Sequence, residues 1–273
     1  SHNWVVPTDT AGYAAYQAAR ADLAWPLERL QPIGSGGQAA GRSFAMPEEL
    51  APIRKWYQTG QAAFVANVGP LMRPMTKADF NAGMALPSKL FSHNDQLSTW
   101  QSLWPEGAKS GWGGRMGDLL MSANAYPIFT AVSVTGNAVF LSGSNVNQYQ
   151  VGPEGPVSVG ALSSSSVFGS TSAPAAMART LARVGAGEPL QAEYVRVLQR
   201  GISSNKILSD ALQRVSVPAI PATVIPLGVG SSITLNNDGL ARQLQMVARM
   251  VAAGQGMGMR RQVFMVNMNG FDT

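Results

Sequence analysis

Two short apolar runs, residues 62–68 (Ala-Ala-Phe-Val-Ala-Asn-Val) and 262–268 (Gln-Val-Phe-Met-Val-Asn-Met), constrain this chain's fold most. Each passes directly into a glycine turn, Gly69-Pro70 or Asn269-Gly270. A strand without a polar face has both faces covered, which is the pattern of a parallel sheet flanked by helices. Helical patterns precede both runs. Met46-Pro47-Glu48-Glu49-Leu50 places proline and carboxylates where a helix start favours them, Gly60 supplies the stop, and Leu50, Ile53, Trp56 and Tyr57 are expected to face the core. Residues 190–215 and 238–253 read as two longer helices, the second with Leu240, Leu244, Val247 and Val251 on one stripe. Helix, tight turn and buried strand make an α/β rhythm with a mostly parallel sheet.

Other segments depart from that rhythm. Pro7-Thr8-Asp9-Thr10 reads as a cap cluster opening a helix through Tyr13, Tyr16, Leu23 and Leu27, broken at Pro26. Residues 34–41 are rich in glycine, but no strand pattern precedes them and no Lys-Ser or Lys-Thr follows, so they read as a loop and not a phosphate cradle. Residues 128–134 and 138–141, separated by Thr135-Gly136-Asn137, read as a hairpin within a small antiparallel excursion over 126–159, and residues 163–176, rich in Ser, Gly, Ala and Pro, read as a surface loop or the entrance to the next helix. Val217-Pro218-Ala219-Ile220-Pro221 cannot be helical.

At 273 residues and 45% hydrophobic content, the chain can bury a substantial core as one large domain or two small ones. Charged residues are only 13%, against 29 glycines and 17 prolines, so neutral polar groups and loops must cover the surface. The net charge of +5 is spread over scattered arginines, with only Arg54-Lys55 and Arg260-Arg261 adjacent, which argues against nucleic acid as a partner. Without cysteine there is no disulfide, thiolate metal site or cysteine nucleophile, a composition that fits an oxidising compartment. No stretch approaches the roughly 18 apolar residues of a transmembrane helix. Ser1-His2-Asn3-Trp4 carries no signal-peptide pattern and Asp272-Thr273 follows directly on a strand pattern, so both ends read as interior points of a longer sequence.

In open parallel α/β sheets, ligands gather where loops leave the carboxyl ends of strands. Asp272, just beyond the second run, therefore suits either a divalent-cation ligand or an ordinary helix N-cap. Phe91-Ser92-His93-Asn94-Asp95 precedes a helix through Leu97, Trp100 and Leu103, so Ser92 or Asn94 caps it while first-turn amides face an anion. His93, one of two histidines, then serves as base, ligand or positioning group, or as a surface residue beside a cap. His2 enters the same cleft if a strand precedes Ser1. In Gly111-Trp112-Gly113-Gly114-Arg115 the arginine reaches an anionic group, or the glycines simply allow close packing under the tryptophan. The 13 methionines, Met246, Met250, Met257, Met259, Met265 and Met268 among them, have core spacing and not the pattern of copper ligands.

Together, residues 5–9, the run ending Asn67-Val68-Gly69-Pro70-Leu71, Leu90-Phe91-Ser92-His93-Asn94-Asp95-Gln96 with Trp100-Gln101, the Gly111–Arg115 block and Asn269-Gly270-Phe271-Asp272-Thr273 resemble one bacterial family, domain of unknown function 1501. The order of these blocks extends over nearly the whole chain. The resemblance implies a single, incomplete alkaline-phosphatase-like domain over 1–273, three-layered α/β/α, with 126–176 as an insertion. It also implies twin-arginine export to the periplasm or cell surface, and a sulfatase-like, metal-dependent hydrolysis of anionic phosphate or sulfate esters. Asp272 would bind a divalent ion (zinc, calcium or manganese), Ser92 would be the nucleophile with His93, and Arg115 and Asn94 would hold substrate. The sulfatase pattern Cys/Ser-x-Pro-Ser-Arg is missing, as are the family's usual Gly-Gly-Asn-Asp before Ser1 and histidine after Thr273. The competing expectation is an exported binding or assembly protein that keeps the fold without turnover.

Overall fold

A computed structural model of the chain describes residues 4–34, 40–66, 68–105, 107–182, 189–220, 224–228, 231–234 and 239–268. The fold is mixed α/β, with a small parallel sheet and small antiparallel ones. The chain divides into two compact units, Ser1–Gly69 and Pro70–Thr273.

The first unit holds β1 (Val6–Pro7), α1 (Thr10–Arg20), β2 (Leu30–Ile33), β3 (Phe44–Pro47) and α2 (Ala51–Gln58). Asp9 caps α1, its carboxylate accepting the Gly12 amide at 2.9 Å. The order β1-β3-β2 is antiparallel throughout, and its core is Val6, Tyr16, Leu30 and Ala45. The glycine-rich residues 34–41 thus do follow a strand, but they lead to the antiparallel partner β3 and not to a helix, which a phosphate-binding loop requires.

Two expectations fail here. Residues 62–66 and 68 form no strand, and Val65 is 81% exposed. The run instead closes α2: the Gln61 and Ala62 amides donate to the Trp56 carbonyl at 2.7 and 3.1 Å, and the Phe64 ring tilts against Tyr57. A short apolar run becomes a strand only where a neighbouring strand takes up its amides, and here its first amides go to the helix end. Trp56, expected in the core, is 54% exposed.

The second unit carries α3 (Lys77–Asn81), α4 (His93–Ser102), α5 (Trp112–Leu120), β4 (Ala131–Ser133), β5 (Tyr149–Gln150), α6 (Gly160–Ser163), α7 (Ala173–Ala182), α8 (Pro189–Leu212), β6 (Val224–Gly228), β7 (Ser231–Thr234), α9 (Gly239–Gly256) and β8 (Val263–Met265). Strands β5, β4 and β8 form the parallel sheet in that order, and β6 and β7 pair antiparallel. Side chains alternate across β4 and β8. Val132, Val134, Phe264 and Val266 pack with Phe129, with Tyr149 of β5, and with Leu208, Leu212, Met246, Met250 and Ala253 of α8 and α9. Ala131, Val263 and Met265 pack on the other side with Phe140, Leu141 and Val146, where α5 also meets β4 and β8. Helices therefore cover both faces, which is why the sequence of β8 has no polar alternation.

The buried stripe of α9 is Met246, Met250 and Ala253, whereas Leu244 and Val251 of the expected stripe are about half exposed. Flexible Met246 and Met250 side chains fill the space over the sheet, as core spacing predicts, whereas Met268 is 47% exposed. The hairpin expected over 128–141 is absent. Val132 and Ser133 pair in parallel with Tyr149 and Gln150, and residues 139–141 form a single 3-10 turn against α5. The turn residue is still a glycine, Gly136, with φ of 100°, but the chain after it packs onto α5 instead of pairing back.

Candidate functional site

The block around Ser92 is a helix start. Ser92 N-caps α4, its Oγ accepting the Asp95 amide at 3.4 Å, and its own amide donates to the Lys89 carbonyl at 2.9 Å. Asp95 is 3% exposed, with Lys89 Nζ at 3.5 Å, and the Gln96 side chain donates to the Leu90 carbonyl. His93 and Asn94 point outward on the exposed side of this first turn. A serine hydroxyl, an exposed imidazole and a helix N-terminus therefore share one edge of the second unit.

Arg115 stands elsewhere. Its guanidinium donates to the Ser110 and Ser102 carbonyls, both at 3.4 Å, so it braces the C-terminal end of α4. Ten residues of helix separate that end from Ser92, roughly 15 Å of axial rise. The structure thus brings Ser92, His93 and Asn94 together and leaves Arg115 a helix length away.

The glycines of the Gly111–Arg115 block serve packing. A Cβ on Gly111 would lie 2.2 Å from the Val139 carbonyl oxygen, one on Gly113 2.6 Å from the Phe140 ring, and one on Gly114 2.1 Å from the Ser142 carbonyl. Trp112 crosses Phe140 edge-on at 4.4 Å and donates its indole N–H to the Trp100 carbonyl. Asp118 completes the contact by accepting the amides of Ser144, Asn145 and Val146 at 2.7, 2.9 and 2.7 Å. These amides, that of Val146 foremost, hold its carboxyl below the usual aspartate range.

At the carboxyl end of the parallel sheet, Gln243 of α9 acts as a short strand mimic on β8. Its Oε1 accepts the Asn267 amide at 2.8 Å and its Nε2 donates to the Asn267 carbonyl at 3.0 Å. That pairing fixes the direction in which the chain leaves β8. Asp272 and its motif, residues 269–273, lie outside the described residues, as does His2. Among the described residues no three histidine, aspartate or glutamate side chains converge, so these do not by themselves make up a metal site. Tyr149, whose phenol burial pushes up to about 12, donates to Asn205 at 2.6 Å and stays a hydrogen-bond donor at any physiological pH.

Sequence reading overlooked three groups here. Asp118, Gln243 and the ion pair of Arg242 with Glu154 carry no local motif, because each acts on a segment far along the chain. The one local hint is that Arg242, Gln245 and Arg249 recur at helical spacing on α9. Among the described residues no helix is long and apolar enough to cross a membrane. No family model matches the chain, no curated protein is significantly similar to it, and no solved structure matches its fold significantly.

Proposed function

We propose that this chain belongs to an exported bacterial protein of alkaline-phosphatase-like α/β/α architecture that hydrolyses phosphate or sulfate esters with the help of a divalent ion. The observation that carries the reading is the exit of β8. A strand of a parallel sheet with helices on both faces ends at Met265 and Gln243 holds Asn267; the motif with Asp272 comes next in the sequence, and such sheets bind ligands beyond the carboxyl ends of their strands. In this reading Asp272 contributes a carboxylate to zinc, calcium or manganese, and the ion supplies Lewis-acid polarisation of the ester. Ser92 is the nucleophile, with His93 as proton acceptor and Asn94 as substrate contact. Arg115, engaged with two carbonyls, is no longer assigned to substrate in this proposal.

The test uses the protein purified with whatever sequence flanks these residues in its gene. Bound metal and turnover of aryl phosphate or aryl sulfate, both lost in Asp272→Ala, are expected. Protein that carries no zinc, calcium or manganese and leaves both esters intact would sink the proposal. Ser92→Asp separates chemistry from structure, because aspartate also caps helices well. It is expected to keep thermal stability and lose turnover; retained turnover removes Ser92 from the reaction.

The second reading, an exported binding or assembly protein without turnover, draws on Ser92 Oγ being already engaged as a cap and on the distance of Arg115. It predicts stable, inert protein in the same assays.

A further inference from the structure

A cleft of about 500 Å³ lies along one flank of α9, lined by Pro153, Glu154, Arg242, Gln245 and Arg249. The three α9 residues sit at positions i, i+3 and i+7, so they share one stripe beside the buried methionines. Both walls are fixed by backbone hydrogen bonds. Gln245 spends its carboxamide on the neighbouring segment, accepting the Ile220 amide at 3.1 Å and donating to the Pro218 carbonyl at 3.0 Å. The opposite wall is the tight turn from Gly152 to Gly155, closed by the Gly155 amide on the Gly152 carbonyl at 3.0 Å.

The charges in this cleft do not balance. Glu154 accepts from Arg242 through Nε at 3.0 Å and through Nη2, which orients that guanidinium and leaves its remaining N–H groups unassigned to any carboxylate. Arg249 is half-buried and has no acidic partner among the described residues. Two arginines and one glutamate thus line the cleft, with only Arg242 paired to the carboxylate among the described residues. Guanidinium forks match the oxygen spacing of tetrahedral oxyanions, and two forks of this kind neutralise a doubly charged group better than either does alone.

We infer that the Arg242–Arg249 flank of α9 is a binding site for a phosphate or sulfate group, distinct from the motif at Asp272. The Glu154 carboxylate competes with such an anion for the Arg242 guanidinium.

Calorimetric titration of the purified protein with inorganic phosphate and with inorganic sulfate, at ionic strength matched by sodium chloride, tests this. Saturable binding is expected for at least one of the two. Arg249→Met keeps the apolar stem and removes the charge, so affinity should fall roughly tenfold with unchanged thermal stability. Glu154→Gln removes the competing carboxylate and should tighten binding. The inference is overturned if chloride alone reproduces the heats, or if Arg249→Met binds as tightly as the parent. Asp272→Ala should bind the anion unchanged, so loss of the hydrolase reading would leave this result standing; loss of binding in Asp272→Ala would instead merge the two sites and overturn the inference.

Discussion

Asp118 shows how much one side chain can organise without touching any chemistry. Its two oxygens gather three consecutive amides from residues 144–146, so a loop without regular structure is held to the end of α5. Because the folded-state pKa is depressed, the stabilisation is fully present above the unfolded value near 3.8 and is lost as pH falls through the lower folded value. Asp118→Asn keeps the shape but loses the charge and one of the two accepting oxygens, and is expected to cost about 1 kcal/mol at neutral pH. The difference between parent and variant, followed by urea denaturation from pH 7 down to pH 3, should shrink on the acid side. A difference that stays constant across that range would show that the carboxylate charge is not what holds the loop. Ser92 presents the converse case at the same scale, because its residue type fits a cap and a nucleophile equally well. Only a readout that separates stability from turnover can tell the two roles apart, and the structure shows the cap directly.

At the scale of elements, helices were more legible in the sequence than strands. The two long helical patterns correspond to α8 and α9 to within a few residues, because a 3.6-residue repeat over many turns is hard to mistake. The run at 62–68 and the segment 128–141 differ from the strands their sequences predict because four to seven apolar residues suit a helix end, coil and strand alike. The α5 glycines were legible in one of their two readings: the block permits close packing, and the structure shows how close. Gly114→Ala would place a methyl carbon against the Ser142 backbone, which cannot swing aside, so α5 must separate from residues 139–143 at an expected cost of about 3 kcal/mol. Gly117→Ala meets only the Val146 side chain, at 2.9 Å, and should cost less, about 1 kcal/mol. Gly201→Ala within α8 has nothing within 4 Å and should stabilise by about 0.5–1 kcal/mol through helix propensity. Thermal denaturation of the three variants should rank them in that order. Gly114→Ala as stable as Gly201→Ala would mean that α5 does not sit as close to the 139–143 segment as described.

For the molecule as a whole, the sequence offers candidate residues one by one but not their arrangement, because what positions such groups are contacts between distant parts of the sequence. Nothing in the neighbourhood of Asn124 announces its role, yet it joins two segments 136 residues apart. Its Oδ1 accepts the Arg260 and Arg261 amides at 2.8 and 3.1 Å, while its Nδ2 donates to the Arg261 carbonyl at 2.7 Å and to Thr130 Oγ1 at 2.9 Å. Asn124 and Thr130 are buried, Arg260 and Arg261 are exposed, and β8 follows directly, its first amide, that of Val263, donating to the Thr130 carbonyl at 2.7 Å. Asn124 therefore helps set the register in which β8 joins β4. Register matters doubly here because a slip by one residue would exchange Val263 and Met265 for Phe264 and Val266 between the two covered faces. Asn124→Leu removes both acceptor and donor, so the part-buried Arg260 and Arg261 amides and the buried Thr130 hydroxyl lose their partner, at an expected cost of about 1–3 kcal/mol. The denaturation midpoint should fall with the slope unchanged, and protection of the Val263 amide from hydrogen exchange should fall with it. If the proposed ion site depends on where β8 ends, metal retention should weaken in Asn124→Leu under conditions where the variant remains folded, whereas Gly114→Ala, which acts on the α5 face, should retain metal as long as it is folded. A variant at position 124 within 0.5 kcal/mol of the parent, with Val263 still protected, would show that β8 finds its register without this side chain.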